Sequence, residues 1–331
     1  MLLRKFRGIG PGVILATFLI ALALWLNSFI NPQSPSSVAF ETDPMPLYGL
    51  IQSAFRTIPA IGILFSFCLV LLMAFLLVNY NTSEFFISER TFLPAIIYVL
   101  LSGLFPQFQI LNPVLPAAVF LILAIRRIMA AYRIQGTAFN FFDAGLLLSA
   151  GSLFYANLMW FGLLIIIGIV LLRTGKIREW IISLLGLAAP WILIFGFYYV
   201  IGNDTGSLLS LLGNNLFFKS PGVYMPGITI AALIILAIII ITSLGHLLVH
   251  IKSKKIKSRK TFYLLIWELL ISLALLIILP SVSAEVFWLT GIAASYLITH
   301  YFVFSGKKVI SEFIFAVIFI LIILVQVTNI I

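Results

Sequence analysis

Long stretches of apolar residues, separated by short polar segments, dominate the sequence. The first stretch holds about 20 residues from Pro11 to Ile30, enough for a helix to cross a hydrocarbon core of about 30 Å. Further apolar runs lie at about 58–78, 92–105, 113–131, 144–172, 180–201, 226–249, 262–280, 285–304 and 309–331. They lack the apolar and polar alternation of membrane β-strands. The pattern therefore predicts an all-α polytopic membrane protein.

The run at 144–172 is too long for one comfortable crossing and predicts a hairpin. Basic residues flank it at 126–133 and again at 173–178, and both groups favour the cytoplasm. An even number of crossings returns a chain to its starting side, so we predict two short passages with a break near Tyr155-Ala156-Asn157. With this hairpin the chain makes about 11 passages.

The placement of the basic residues predicts the orientation of the chain. In the predicted topology, all of the 20 Lys and Arg residues except Arg56 and Lys219 fall on one side of the membrane. Because positive charge is retained in the cytoplasm, the N-terminus is predicted to be cytoplasmic and the C-terminus to lie outside. The first apolar stretch exceeds the usual length of a signal-peptide core, which favours an uncleaved span.

The composition excludes several classes of protein. Hydrophobic residues make up 63% of the chain, charged residues make up 9%, and the mean hydropathy is +1.21, values that exclude a water-soluble globule. The net charge of +10 is explained by membrane orientation, so we expect no nucleic-acid partner. The basic segment 252–260 is suited to anionic lipid headgroups or to an acidic protein partner. A single cysteine, Cys68, allows no internal disulfide.

The candidate chemistry lies in the predicted outer loop 31–57. Glu41 and Asp43 are separated by one residue and followed by Pro44 and Pro46. Two carboxylates in such a stiffened turn can bind a divalent cation or divide the roles of base and ion ligand. The alternative is a solvated acidic turn without a chemical role.

Two basic residues and one acidic residue complete the candidate site. Arg56 follows the acidic turn, and Lys219 lies in the second predicted outer loop, 202–225. Either cation can balance the charge of a phosphate leaving group, or simply anchor a helix at the headgroups. Asp204 can assist the base or form a turn after Gly-Asn.

The segment Glu41-Thr42-Asp43 resembles the modified Asp-x-Asp motif in the first outer loop of GT-C membrane glycosyltransferases. Residues 141–194, with a small-residue-rich hairpin, a basic turn and an Ala-Pro-Trp, resemble the central region of that class. The resemblance covers about residues 1–201. It implies a transferase that uses a polyprenyl-phosphate-linked sugar, with Glu41 and Asp43 as catalytic or metal-binding residues. Such a transfer requires groups that balance the charge of the phosphate, and we therefore predict that Arg56, Lys219 and Asp204 bind substrate.

The whole chain, including features at 81–107, also resembles a family of uncharacterised inner-membrane proteins of Bacteroidota. This resemblance implies a location in the bacterial inner membrane. The predicted organisation is a GT-C-like transmembrane module over 1–201, a periplasmic loop over 202–225 and C-terminal transmembrane helices over 226–331.

Three functions remain open at this stage. The first is the GT-C-like transferase. The second is a non-catalytic membrane subunit or scaffold for assembly of the cell envelope, and the third is a transporter of a lipid or small molecule. The sequence shows no convincing internal repeat of the kind that transporters commonly carry. Glu268 lies inside an apolar run, where ionisable groups are costly, and we expect it to contact His246.

Overall fold

A computed structural model describes residues 2–33, 40–41, 43–132, 138–172, 177–202, 204–219 and 225–328. Throughout these ranges the regular structure is helical, which confirms the predicted all-α fold. The α-helices are α1 (Leu2–Phe6), α2 (Pro11–Ile30), α3 (Pro46–Phe55), α4 (Pro59–Glu84), α5 (Leu93–Ser102), α6 (Val114–Ala130), α7 (Ala138–Ser152), α8 (Leu163–Leu172), α9 (Ile177–Ile201), α10 (Thr205–Phe217), α11 (Gly227–His250), α12 (Ile256–Ile278), α13 (Phe287–Phe304) and α14 (Lys308–Thr328).

Seven of these helices are long and apolar enough to cross a membrane: α2, α4, α9, α11, α12, α13 and α14. The chain is therefore a multi-pass membrane protein in contact with lipid. The shorter helices α5, α6, α7 and α8 coincide with the remaining predicted runs. Several helices begin at proline, as α2, α3 and α4 do, because proline is favoured at the first helical position.

The segments between helices gather at two opposite ends of the bundle. At one end, the Arg7 guanidinium donates to Glu89 over 2.7 Å, and Lys257 pairs with Glu84. We call this the basic end, because the described Lys and Arg residues other than Arg56 and Lys219 lie there. The grouping agrees with the predicted distribution of charge, while the side of the membrane on which it lies stays a prediction.

The opposite end, which we call the Glu41 end, holds the described segments 31–33, 40–41, 43–58, 103–113, 153–156, 204–219, 225–226 and 279–286. Ser28, near the end of α2, donates to Gln109 over 3.1 Å. Tyr48 of α3 donates its hydroxyl to the carbonyl of Leu111 over 3.0 Å. These contacts bring the first outer segment against the turn between α5 and α6.

Helix α13 forms the centre of the apolar core, where it packs against α5, α6, α11 and α12. Two buried tyrosines connect α13 to its neighbours: Tyr98 donates to the Trp288 carbonyl over 3.3 Å, and Tyr296 donates to the Leu77 carbonyl over 2.7 Å. The core therefore contains helices from both of the transmembrane regions that the predicted loop 202–225 separates. Glu268 is fully buried. The His246 ring lies near the rings of His250 and His300. The expected contact between Glu268 and His246 is absent among the described contacts.

Helices α7 and α9 touch backbone to backbone at two glycines. A Cβ atom on Gly186 would lie 2.3 Å from the Phe142 carbonyl oxygen, and one on Gly145 would lie 2.8 Å from the Ser183 carbonyl oxygen. Small residues at such crossings let membrane helices approach closely and gain van der Waals contact. This contact fixes the predicted hairpin region against α9.

We expect Gly186→Ala and Gly145→Ala to lower the melting temperature in detergent, with a loss of about 1–3 kcal/mol each, because the added methyl group meets backbone that cannot rotate away. Gly196→Ala is the matched control, since a Cβ atom there meets no heavy atom within 4 Å. Thermal unfolding followed by tryptophan fluorescence measures the difference. Equal melting temperatures for all three variants would contradict the close packing.

Candidate functional site

The break between α7 and the following 3-10 segment (Ala156–Gly162) forms the floor of the candidate site. Tyr155 is extended there, which confirms the predicted break near Tyr155-Ala156-Asn157. A broken helix leaves peptide groups without helical partners, which is costly at membrane depth. The 40–48 segment supplies those partners: the Leu47 N–H donates to the Leu153 carbonyl over 3.1 Å, and Glu41 Oε1 accepts the Ala156 N–H over 2.7 Å.

A second carboxylate, Glu285, reaches the same break from the segment before α13. The Tyr155 hydroxyl donates to Glu285 Oε1 over 3.1 Å, and the Ser283 N–H donates to the same oxygen over 2.9 Å. The Ser283 hydroxyl donates to the other oxygen. Glu285 is only 1% exposed. Glu41 thus binds the backbone of the break and Glu285 binds the side chain of the adjacent Tyr155, and the two carboxyl groups are close enough to repel each other.

Helix α10 joins the two outer segments through Asn215. The Asn215 side chain accepts from the Asp43 N–H over 3.1 Å and donates to the Asp43 carbonyl over 2.7 Å. Asn157 donates to the Asn215 carbonyl over 3.3 Å, and Ser281 donates to the Leu216 carbonyl over 2.8 Å. The site therefore draws on the first outer segment, the broken helix, α10 and the turn before α13.

The Glu41 carboxyl group is held in a setting that favours its protonated form. Burial raises its pKa, the Ala156 N–H opposes that rise, and the nearby Glu285 carboxylate adds to it, so that the pKa of Glu41 lies well above its usual range. Its Oε2 atom is buried and has no hydrogen-bond partner among the described residues. Such a carboxyl group holds its proton more tightly than an exposed carboxyl group does.

The structure separates the two carboxylates of the predicted acidic motif. Glu41 is partly buried and its side chain binds the broken helix, whereas Asp43 is exposed and is anchored through its backbone. Thr42 lies outside the described residues. No group of three or more His, Cys, Asp or Glu side chains suited to a metal is present in the part of the chain that the structure describes. A divalent cation held by Glu41 and Asp43 stays a prediction.

The three predicted substrate-binding residues lie at the Glu41 end but apart from the buried pair. Arg56 follows α3 and is exposed, and Lys219 follows α10 and is also exposed. Neither forms an ion pair with a described carboxylate. Asp204 caps α10 by accepting the Gly206 N–H over 2.9 Å. The segment predicted as an outer loop over 202–225 thus contains a 13-residue helix.

Sequence reasoning missed Tyr155, Glu285 and Asn215 as members of the site. Glu285 carried a usable signal, because it is a lone carboxylate at the start of an apolar run in the sequence Ser-Ala-Glu-Val-Phe-Trp. Asn215 and Tyr155 carried none, since asparagine and tyrosine are common near membrane boundaries and only their contacts distinguish these two residues.

An apolar groove of about 420 Å³ lies beside this polar site. It runs between α11, α12 and the start of α13, and its lining is apolar apart from Thr290. Ala284 and Val286, the neighbours of Glu285, lie at one end of it. A groove of this length and polarity within a membrane protein is suited to an acyl or isoprenoid chain.

Comparisons with protein-family models, with curated proteins and with solved structures find no match to this chain. The site is therefore interpreted on its own geometry.

Replacing Glu41 should change how stability depends on pH. The unfolded chain ionises this carboxyl near its ordinary pKa of 4.5, while the fold retains the proton to higher pH. Stability is therefore greatest below that value and falls as the pH rises toward the folded pKa. We expect Glu41→Gln to raise the melting temperature by several degrees at pH 8 and little at pH 4.5.

Asp43→Asn is the matched control for this measurement, because it removes an exposed carboxylate from the same turn. Melting curves of both variants and the wild type, recorded in one detergent from pH 4.5 to 8, test the expectation. An unchanged pH profile in Glu41→Gln would show that Glu41 carries no burial penalty.

Proposed function

We propose that this protein is a membrane transferase that acts on a lipid-phosphate-linked sugar at its Glu41 end. The observation that carries the proposal is the buried Glu285 carboxyl group, which interacts with Glu41 and is flanked by two residues that line the apolar groove of about 420 Å³. A lipid-linked substrate needs both features, because its chain must lie among apolar side chains while its polar end meets the catalytic groups.

In this proposal the ionised form of Glu41, which the Ala156 N–H stabilises, acts as the general base. As an acceptor hydroxyl attacks the anomeric carbon, its proton passes to Glu41, and the bond from that carbon to the phosphate oxygen breaks. The lipid phosphate leaves with the bonding electron pair, and Lys219 balances its negative charge. Glu285 raises the proton affinity of Glu41 by repulsion and, through Tyr155, holds the broken helix in place.

The exposed residues of the site are assigned to the polar part of the substrate. Asp43 would bind the sugar or a divalent cation, Arg56 would contact the acceptor or the phosphate, and Asp204 would contact the acceptor. These roles rest on the position of the three residues at the Glu41 end. The resemblance to GT-C membrane glycosyltransferases supports the same assignment for Glu41 and Asp43.

The orientation belongs to the same proposal. We place the protein in the bacterial inner membrane with its N-terminus and basic end in the cytoplasm and its Glu41 end in the periplasm. The support is the charge distribution, since among the described basic residues only Arg56 and Lys219 lie at the Glu41 end.

A second candidate function is a non-catalytic membrane subunit for assembly of the cell envelope. It is favoured by the hydrogen bonds within the site, which pair its backbone groups without a ligand. Glu41 accepts the Ala156 N–H, and the Asn215 side chain binds the N–H and the carbonyl of Asp43. In that case the carboxylates stabilise a broken helix only. Protein partners would then bind the outer segments or the basic segment 252–260.

Activity distinguishes these two functions. In cells that lack the gene, we expect the wild-type protein to restore a surface glycan or glycolipid, and Glu41→Gln and Glu285→Gln to slow its appearance by about 100-fold or more. Asp143→Asn is the control, because Asp143 lies toward the basic end, where it pairs with Arg127. Mass spectra of glycans and glycolipids provide the measurement, with protein levels compared by immunoblot.

Normal glycans in both glutamate variants, at normal protein levels, would exclude the catalytic role. Recovery of a stoichiometric protein complex in mild detergent, unaffected by the same variants, would then favour the non-catalytic subunit.

The orientation is tested by cysteine labelling. Cys68 is exposed on α4 and is first replaced by serine. In spheroplasts of a Gram-negative host, we expect a membrane-impermeant maleimide to label Lys219→Cys at once and to label Lys255→Cys only after the membrane is permeabilised. The reverse order of labelling would place the Glu41 end in the cytoplasm.

A further inference from the structure

A second cavity, far from the carboxylate pair, opens at the basic end. It has a volume of about 850 Å³ and lies between α1, the end of α13 and the start of α14. Ligand sites commonly fall in the range of about 300–1,000 Å³. The function proposed above assigns no role to this cavity or to its residues.

Charged groups of both signs line one side of this cavity. Arg7 is held in place by Glu89 over 2.7 Å and by the Val303 carbonyl over 3.2 Å. Lys308 is exposed and has no ion pair with the described residues. Glu312 uses Oε1 to accept the Leu3 N–H over 3.2 Å, so it too is fixed in position. A ligand here meets the Lys308 ammonium group, the Arg7 guanidinium that Glu89 partly neutralises, and the Glu312 carboxylate.

The other side of the cavity is apolar. Leu3, Phe302, Val303 and Phe304 contribute hydrocarbon surface, and Phe6 of α1 packs on Phe315 of α14 with ring centres 5.8 Å apart. The cavity therefore changes from polar to apolar across its width. It lies where the spans α13 and α14 end and begin, which is the depth of the lipid headgroups.

We propose that this cavity binds the headgroup of a phospholipid that carries a phosphate diester and a primary ammonium group. Lys308 and Arg7 bind the phosphate, Glu312 accepts from the ammonium, and the apolar side covers the first methylene groups of the chains. Basic pockets between membrane helices at the cytoplasmic boundary are suited to lipid headgroups. The carboxylate in this pocket favours a headgroup with both charges over a purely anionic one.

The apolar side of the cavity favours a phospholipid over free phosphate as the source of the bound phosphate group. Free phosphate would gain nothing from the Leu3 and Phe302 side chains, whereas a phospholipid buries chain atoms against them. We therefore expect binding to require phosphate, ammonium and acyl chain together.

The test uses the full-length protein, stripped of lipid in detergent, with melting temperature as the readout. The probes are dioctanoyl phosphatidylethanolamine, dioctanoyl phosphatidylglycerol, dioctanoylglycerol and inorganic phosphate. We expect a saturable rise in melting temperature with the ethanolamine lipid, a weaker response to the glycerol lipid, and little response to the other two. The rise follows from preferential binding to the folded state.

Three variants locate the binding. Lys308→Ala should raise the half-saturating concentration of the ethanolamine lipid by about tenfold, as expected for one charged hydrogen bond. Glu312→Gln should remove the preference for ethanolamine over glycerol without weakening the response to the glycerol lipid. Lys255→Ala, an exposed cation at the same end but outside the cavity, should behave as wild type.

The proposal is overturned if dioctanoylglycerol or inorganic phosphate alone reproduces the response to the ethanolamine lipid. It is also overturned if Lys308→Ala and Lys255→Ala shift the half-saturating concentration equally, since general surface charge would then explain the binding. None of these outcomes depends on transferase activity.

Discussion

An interrupted helix inside a membrane protein must find partners for its exposed peptide groups, and the Glu41 end of this molecule is organised around that requirement. Between α7 and the segment that begins at Ala156 the helical hydrogen bonds stop, and no solvent is available to replace them at low cost. The partners come from a segment more than 100 residues earlier in the chain, where Leu47 and Glu41 bind the two sides of the break.

The same constraint explains why the two carboxylates are buried together. Glu41 is drawn inward by the Ala156 N–H, and Glu285 is fixed by Tyr155, the neighbouring residue of the break. Burial and the nearby Glu285 carboxylate then raise the pKa of Glu41, so the group that binds the broken backbone also holds a proton more tightly than an ordinary carboxyl group. The Glu41 side chain therefore stabilises the broken helix and also offers a group that can exchange a proton. Both candidate functions start from its contact with Ala156.

The two ends of the bundle differ in the chemistry that they offer. The Glu41 end combines buried carboxyl groups with the apolar groove beside α11, α12 and α13. The basic end carries most of the positive charge and the cavity that contains Arg7, Lys308 and Glu312. The helices that separate these ends are held in register by α13 at the centre and by the glycine contact between α7 and α9. A lipid bound at either end would therefore act on one connected helical core.

The sequence by itself determined the helical class, the apolar runs, the break near Tyr155 and the grouping of basic residues, because hydrophobic length and charge placement are local properties of the chain. It also singled out Glu41. Only the tertiary structure decided that Asp43 points away while Glu285 takes the place beside Glu41, and that residues 202–225 contain α10 with Asn215 bound to Asp43. Those pairings join residues far apart in the chain, and such contacts depend on how the helices pack rather than on any short pattern of residues.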